Sequence, residues 1–234
     1  MKTWLKAICF YFAGLLALAA LLFIPAGTLD YWQAWLYLIV VFIPMAFVMF
    51  YFLATDPEFL ERRFKTKERE REQELFQMAS APLVLLGFII PGIGVRLGWQ
   101  MAPAEVSVAA CMLVFLGYGL VFLVFKENSW AGRTIRVEKG QKVVSTGPYA
   151  HVRHPMYSGM MIWYLATPLA LGSYVALIPF LLFAPLLHIR IKNEEKVLSR
   201  ELKGYKEYCR KVKWRLVPEI WYSDRMARWK MIGR

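Results

Sequence analysis

Apolar positions dominate this chain in blocks, and the blocks set the expected elements. Four runs, Ala7 to Ala26, Trp35 to Ala54, Ala79 to Val95 and Val106 to Phe125, meet or approach the ~20 residues a helix needs to cross the hydrocarbon core of a bilayer. The third is the shortest. It holds Pro91, Gly92 and Gly94, which predict a kink or an early end that neighbouring helices can accommodate. A fifth apolar region, Met156 to Ile189, is too long for one helix and is interrupted at Leu171-Gly172-Ser173, the turn expected of a helical hairpin. Pro168, Pro179 and Pro185 within it predict irregularity.

The polar stretches are equally distinct. Glu58 to Glu74 is dense in alternating charge and reads as a solvated amphipathic or interfacial helix, with a substrate or partner contact as the alternative. Lys126 to Pro155 is polar although it lies between membrane segments; a connector of that length is expected to be a functional loop at the membrane surface. The predicted organisation is therefore four transmembrane helices over 1–125 with a charged loop at 55–78, a C-terminal region over 126–218 containing the hairpin 156–189, and a basic, aromatic tail over 219–234 that reads as an interfacial anchor. No small-residue cleavage site follows Ala26, so the first run is expected to be a retained helix and not a signal peptide.

Charge placement gives the topology. The net charge of +12 invites a nucleic-acid reading, but the Lys and Arg residues follow the membrane pattern. The loops at 27–34 and 172–174 carry none, the loop at 96–105 carries Arg96, and every other basic residue falls on the opposite side. The positive-inside rule makes that side the cytoplasm and predicts about six passes with both termini inside. Composition agrees: 58% hydrophobic residues and nine Trp exceed the ~45–50% apolar content of soluble domains and suit interfacial belts. The expected fold is an all-α polytopic membrane bundle with a cytoplasmic, cofactor-binding C-terminal region; nucleic acid is not an expected partner. Cys9, Cys111 and Cys209 have no metal-ligand spacing, and no metal is expected.

Two segments carry candidate chemistry. Gly147 to Tyr157 concentrates cations, aromatics and Pro155 where a membrane helix begins. The amides of such a terminus favour anions, yet Arg and His beside a bilayer also bind lipid phosphates, and the residues alone leave both readings open. The second segment has His188, Arg190, Lys192, Glu194 and Glu195, followed by Val197, Leu198, Leu202, Tyr205 and Tyr208 at helical spacing. Arg190 and Glu194 fall at i and i+4, either a surface ion pair or a cation and an anion set just below the bilayer for a two-component reaction.

Together, Arg153-His154-Pro155-Met156-Tyr157, the hairpin, and then Glu194-Glu195, Leu198, Gly204-Tyr205 and Tyr208 resemble the isoprenylcysteine carboxyl methyltransferase family over about residues 126–218. The resemblance implies S-adenosyl-L-methionine as methyl donor, held without a Rossmann fold by Gln141, Lys142, Val143, Val144, Tyr149, His154, Pro155, Met156, Tyr157 and Glu194, with Arg136 near it. It implies that Arg190 meets the acceptor, with Arg153 also on the substrate side and with Arg190 and Glu194 as the catalytic pair. The acceptor would be a lipophilic or prenylated molecule entering from the bilayer. Three alternatives stay open: methylation of a phospholipid amine or a thiol, which shares much of this layout; a membrane sterol reductase using a nicotinamide cofactor; and a non-enzymatic scaffold or transporter contacting membrane lipids.

Overall fold

The computed structural model describes residues 3–64, 71–99, 101–132, 135 and 137–219, and among these there is no β-strand. Eight α-helices form: α1 (Thr3–Ala26), α2 (Trp32–Thr55), α3 (Pro57–Phe64), α4 (Arg71–Arg96), α5 (Ala104–Glu127), α6 (Pro155–Ala170), α7 (Leu177–Glu201) and α8 (Tyr205–Lys211). Helices α1, α2, α4 and α5 are long and apolar enough to cross a membrane. Phe10, Leu16, Ile24, Ile43, Phe47 and Phe50 are all more than half exposed on α1 and α2. An outward apolar face of that kind is stable only against lipid, and the chain is an integral membrane protein.

Two helix crossings explain why these segments pack closely. On α5, a Cβ at Gly117 would stand 2.8 Å from Gly159 O of α6, and a Cβ at Gly159 would stand 2.7 Å from Gly117 O. The glycines thus bring the α5 and α6 backbones together, which is how membrane helices associate where burial in lipid offers no hydrophobic gain. Gly92 of α4 does the same against α1, where its Cβ would meet Leu22 O at 2.6 Å. Polar bonds lock α2 to α6: Trp163 Nε1 donates to Tyr37 Oη (3.0 Å), Tyr37 Oη and Thr167 Oγ1 are 2.9 Å apart, and Thr167 Oγ1 donates to Trp163 O (2.9 Å).

Loop contacts sort the bundle into two ends. At one end Tyr31 Oη donates to Leu171 O (2.6 Å), Ala102 N to Gly172 O (2.8 Å) and Arg96 Nη2 to Ile24 O (3.2 Å). The α1–α2, α4–α5 and α6–α7 turns therefore lie together. At the other end Thr3 Oγ1 donates to Glu61 Oε1 (2.6 Å), and α3 docks on the segment after α5. The hairpin runs the length of the bundle between these ends.

Several boundaries differ from the expectation. The shortest apolar run does not end early: α4 continues through Pro91 and Gly92 to Arg96 because Gly92 is the contact with α1. The same helix starts at Arg71, eight residues before the apolar run, since a helix once formed extends cheaply into water. The charged segment Glu58–Glu74 is accordingly shared between α3 and α4, with residues 65–70 outside the described ones. The second arm of the hairpin continues past Ile189 as one helix to Glu201. With α6 only 16 residues long and the end of α7 polar, four helices among the described residues qualify as spans by length and hydropathy, against the six passes expected. The tail expected as an interfacial anchor lies beyond the described residues after Glu219.

Candidate active site

The site sits where α6 starts, at the end of the bundle that collects the basic segments. Pro155 occupies the first turn of α6, where its missing N–H is not needed. The strand-like segment after α8 is strapped across this start: Arg153 N donates to Trp214 O (3.0 Å), His154 N to Arg215 O (2.9 Å) and Ser158 Oγ to Leu216 O (2.6 Å). Beneath the strap lies a buried charge cluster. Glu195 Oε1 accepts from Arg153 Nη1 (2.8 Å) and lies 3.3 Å from His154 Nε2, while Glu195 Oε2 accepts from Arg215 Nη2 (2.8 Å) and Nε (3.1 Å). Burial alone would push the Glu195 carboxyl up. The hydrogen bonds from His154 and Arg215 and the charge of Arg153 overcome this and hold it at about 2.

This arrangement gives Arg153 a different occupation from the substrate contact implied by sequence. Its Nε donates to Val212 O (2.8 Å) and its Nη2 to Lys213 O (3.0 Å). With Nη1 on Glu195, all three guanidinium nitrogens hold the strap, and the side chain is 5% exposed.

Adjacent to Glu195 on α7 but about 100° around the helix, Glu194 faces a different set of partners. Glu194 Oε2 accepts from Tyr157 Oη (2.7 Å), Tyr157 Oη accepts from Arg190 Nε (3.0 Å), and Arg190 Nη1 donates to Gln73 Oε1 of α4 (3.0 Å). Arg190 is 7% exposed and lies over the Phe76 ring at 4.9 Å. Buried and fixed by a phenol and an amide, it is not the exposed ion pair that is worth little.

The segment after α5 closes the site from above. Asn128 Nδ2 donates to Tyr149 Oη (2.9 Å), and Tyr208 Oη of α8 donates to Tyr149 O (2.7 Å). Burial pushes the Tyr149 phenol up to about 12, so it stays protonated. Two arginines of α3 hold the same segment: Arg62 Nε donates to Ser129 O (2.9 Å), and Arg63 Nη1 reaches Ala131 O (3.2 Å) and Gly132 O (3.3 Å).

Two cavities result, and they meet. The first is polar. Gln141, Lys142, Val143 and Val144 form one wall; Tyr149, Arg153, His154, Met156 and Tyr157 form the floor; Arg190 and Glu194 close it from α7. The second is an apolar groove between α4, α6 and α7, with Val84, Leu85, Met160, Tyr164, Phe183 and Leu187 among its lining. Gly132, Met156, Tyr157 and Arg190 line both. Among the described residues, the groove's charged lining is Arg63 and Arg190, with no Asp or Glu.

Of the residues singled out by sequence, Pro155 starts α6 without lining either cavity, and Arg136 lies outside the described residues. The sequence reading did not assign Asn128, Trp130, Leu198, Leu202, Tyr205 or Tyr208 to the site, although they line the first cavity. Tyr205 and Tyr208 had a signal, their helical spacing from Leu198 and Leu202, but that pattern reads equally as core. Gln73 had none, hidden in a run of charges.

Comparison with known proteins bears on this site. The family described as Phospholipid methyltransferase matches residues 106–204. The Delta(14)-sterol reductase TM7SF2 of Mus musculus is 29% identical over 137 residues, 52% of this chain and 32% of that protein. The Protein-S-isoprenylcysteine O-methyltransferase of Schizosaccharomyces pombe is 38% identical over 76 residues, 32% of each chain. The chain thus spans about a third of the length of these relatives. A solved structure of the eukaryotic intramembrane Ras methyltransferase ICMT (isoprenylcysteine carboxyl methyltransferase) superposes with a TM-score of 0.56 at 19% identity, covering 93% of this chain and 78% of that one. That likeness is one of fold.

Proposed function

We propose, for a chain whose residues 106–204 match the family described as Phospholipid methyltransferase, that it is an S-adenosylmethionine-dependent membrane methyltransferase acting on the carboxylate of a lipophilic, isoprenylcysteine-like acceptor. The observation that carries this reading is the junction of the two cavities at Met156, Tyr157 and Arg190. A polar compartment for a charged nucleotide-like donor adjoins an apolar one for a chain drawn from the bilayer.

The first cavity has the groups such a donor needs. Tyr205 Oη is buried there with no oxygen or nitrogen partner among the described residues and the weakly bonding Cys209 thiol beside it, a hydroxyl with bonding capacity to offer a ligand. Glu194 suits a cationic or hydroxyl part of the donor, Lys142 an anionic one, and Val143, Val144, Leu198 and Leu202 a planar base. When bound, the donor supplies a methyl group already activated by a sulfonium. The protein then contributes alignment and a dry site.

On the acceptor side, Arg190 holds the carboxylate at the head of the groove and leaves a lone pair for in-line attack. An ionised carboxylate needs no general base. A phospholipid amine would have to shed a proton first; among the described residues the groove offers it two arginines, with Glu194 the nearest carboxylate in the adjoining cavity and engaged by Tyr157, which favours the anionic acceptor over the amine. The basic end of the bundle faces the cytoplasm in this reading, the hairpin adds two passes to the four apolar spans, and the acceptor arrives sideways from the lipid.

The test is calorimetric titration of the detergent-purified protein with S-adenosylhomocysteine, comparing wild type with Glu194→Ala and Tyr149→Ala. Micromolar binding lost in both variants is the expected result. No binding by folded wild type would remove the methyltransferase reading and promote a nicotinamide-dependent reductase, the reading favoured by the similarity to the mouse sterol reductase; titration with NADPH in the same samples distinguishes them.

A further inference from the structure

Gln73 stands at the site end of α4, outside the 106–204 segment that matches the family, and it is fully buried at 0% exposure. Its Oε1 accepts from Arg190 Nη1 at 3.0 Å. A guanidinium only donates, so this contact fixes which end of the amide faces the arginine. The other end, Nε2, is buried and has no hydrogen-bond partner among the described residues. Buried amide donors are nearly always paired, and an unpaired one next to a cation is a donor set waiting for an acceptor oxygen.

The surroundings name the kind of oxygen. Phe76, Gln77 and Ser80, one and two turns along the same face of α4, line the apolar groove, as does Arg190 itself, whereas Gln73 is not among the lining residues and meets the groove through Arg190. With Arg63 and Arg190 as the groove's charged residues, an amphiphile entering it is drawn by an anionic head toward Arg190. The amide nitrogen of Gln73 is bonded to the same carbon as the oxygen that holds that guanidinium.

We propose that Gln73 is part of the acceptor-recognition site: Oε1 fixes the plane of Arg190, and Nε2 is a second donor to the anionic group that Arg190 binds. The substrate head is then read by a cation and a neutral amide side by side, which a carboxylate satisfies through its two oxygens. This rests on the assignment of the groove as the acceptor site.

The experiment measures binding, not turnover, so that it reads independently of the methyl donor. N-acetyl-S-farnesylcysteine and its uncharged carboxamide are titrated into the full chain in phosphatidylcholine nanodiscs, for wild type, Gln73→Glu and Gln73→Met, with S-adenosylhomocysteine titrated in the same samples. Gln73→Glu keeps an oxygen for Arg190 but loses the Nε2 donor and adds a charge that itself opposes an anionic ligand. The uncharged Gln73→Met therefore carries the comparison, and a Gln73→Met protein that keeps the acid preference overturns the proposal. Wild type is expected to prefer the carboxylate over the carboxamide by tenfold or more. Both variants are expected to lose that preference to under threefold, while Gln73→Glu keeps its melting temperature and binds S-adenosylhomocysteine within twofold of wild type. A wild type without preference, or a Gln73→Glu protein that retains it, overturns the proposal. Failure of wild type to bind S-adenosylhomocysteine would instead overturn the methyltransferase reading and leave the acid-to-amide ratio readable.

Discussion

Arg190 Nε donates to Tyr157 Oη at 3.0 Å, so the cation of α7 is held by a phenol of α6 that itself donates to Glu194 on the next turn of α7. One hydroxyl thus joins the group assigned to the acceptor with the group assigned to the donor. Tyr157 also lines both cavities, as do Gly132, Met156 and Arg190.

Removing that hydroxyl tests the link. Tyr157→Phe leaves the ring in place but removes one buried partner from each of Glu194 and Arg190, at a cost of about 1–3 kcal/mol. The expected outcome is a methyl-transfer rate reduced at least tenfold, with weaker binding of both ligands. Separate titrations of S-adenosylhomocysteine and a farnesylated cysteine measure it; a change confined to one ligand would show that Tyr157 does not couple the cavities.

Arg190→Lys asks whether geometry or charge matters. The guanidinium reaches Tyr157 with Nε and Gln73 with Nη1, two directions that one ammonium on a flexible stem does not reproduce. A carboxylate displaced by about 1 Å loses roughly 100-fold in rate. Kinetics in the acceptor are expected to show kcat/KM down by about that factor while S-adenosylhomocysteine still binds; wild-type kinetics would place the acceptor elsewhere.

The strap held by Glu195 makes stability depend on acid. Its carboxyl titrates at about 2 in the fold against 4.5 for the ordinary group, so its contribution is complete above pH ~4.5 and is lost as pH falls toward ~2, because the unfolded chain takes up the proton first. At roughly 1.4 kcal/mol per unit, this amounts to on the order of 3 kcal/mol. Melting curves are expected to fall in that window for wild type, whereas Glu195→Gln, already destabilised at neutral pH, should show a shallower fall. Parallel curves for the two proteins would place the acid sensitivity elsewhere.

These tests also mark what the sequence disclosed. Hydropathy sufficed for the long helices because lipid demands an unbroken apolar surface, and the Arg153–Tyr157 and Arg190–Glu194 segments announced themselves by carrying charge where a membrane helix begins or ends. The partner of each charge stayed hidden. Arg153 and Arg190 look alike in one dimension, yet one is consumed by Glu195 and two backbone carbonyls and lines the first cavity alone, whereas the other lines both cavities. Gln73, 117 positions from Arg190, is brought to it only by the packing of α4 on α7. The close approach of α5 and α6 was equally silent, since Gly117, Gly119 and Gly159 are indistinguishable as letters.

That last point yields a prediction on packing. A methyl at Gly159 would meet Gly117 O at 2.7 Å and Val121 N at 3.3 Å, both backbone atoms that cannot rotate away, whereas a methyl at Gly119 would have nothing within 4 Å. Gly159→Ala must therefore push α6 off α5, at a cost of about 1–3 kcal/mol for overpacking. Because α6 carries Met156 and Tyr157 into the junction of the cavities, the displacement should also weaken ligand binding. Gly119→Ala, with the same chemical change in the same membrane environment, should leave the melting temperature unchanged or slightly raised, since alanine restricts the unfolded chain more than glycine. Thermal unfolding of the two variants in one detergent makes the comparison, and equal melting temperatures would show that the α5–α6 glycine contact does not hold these helices together.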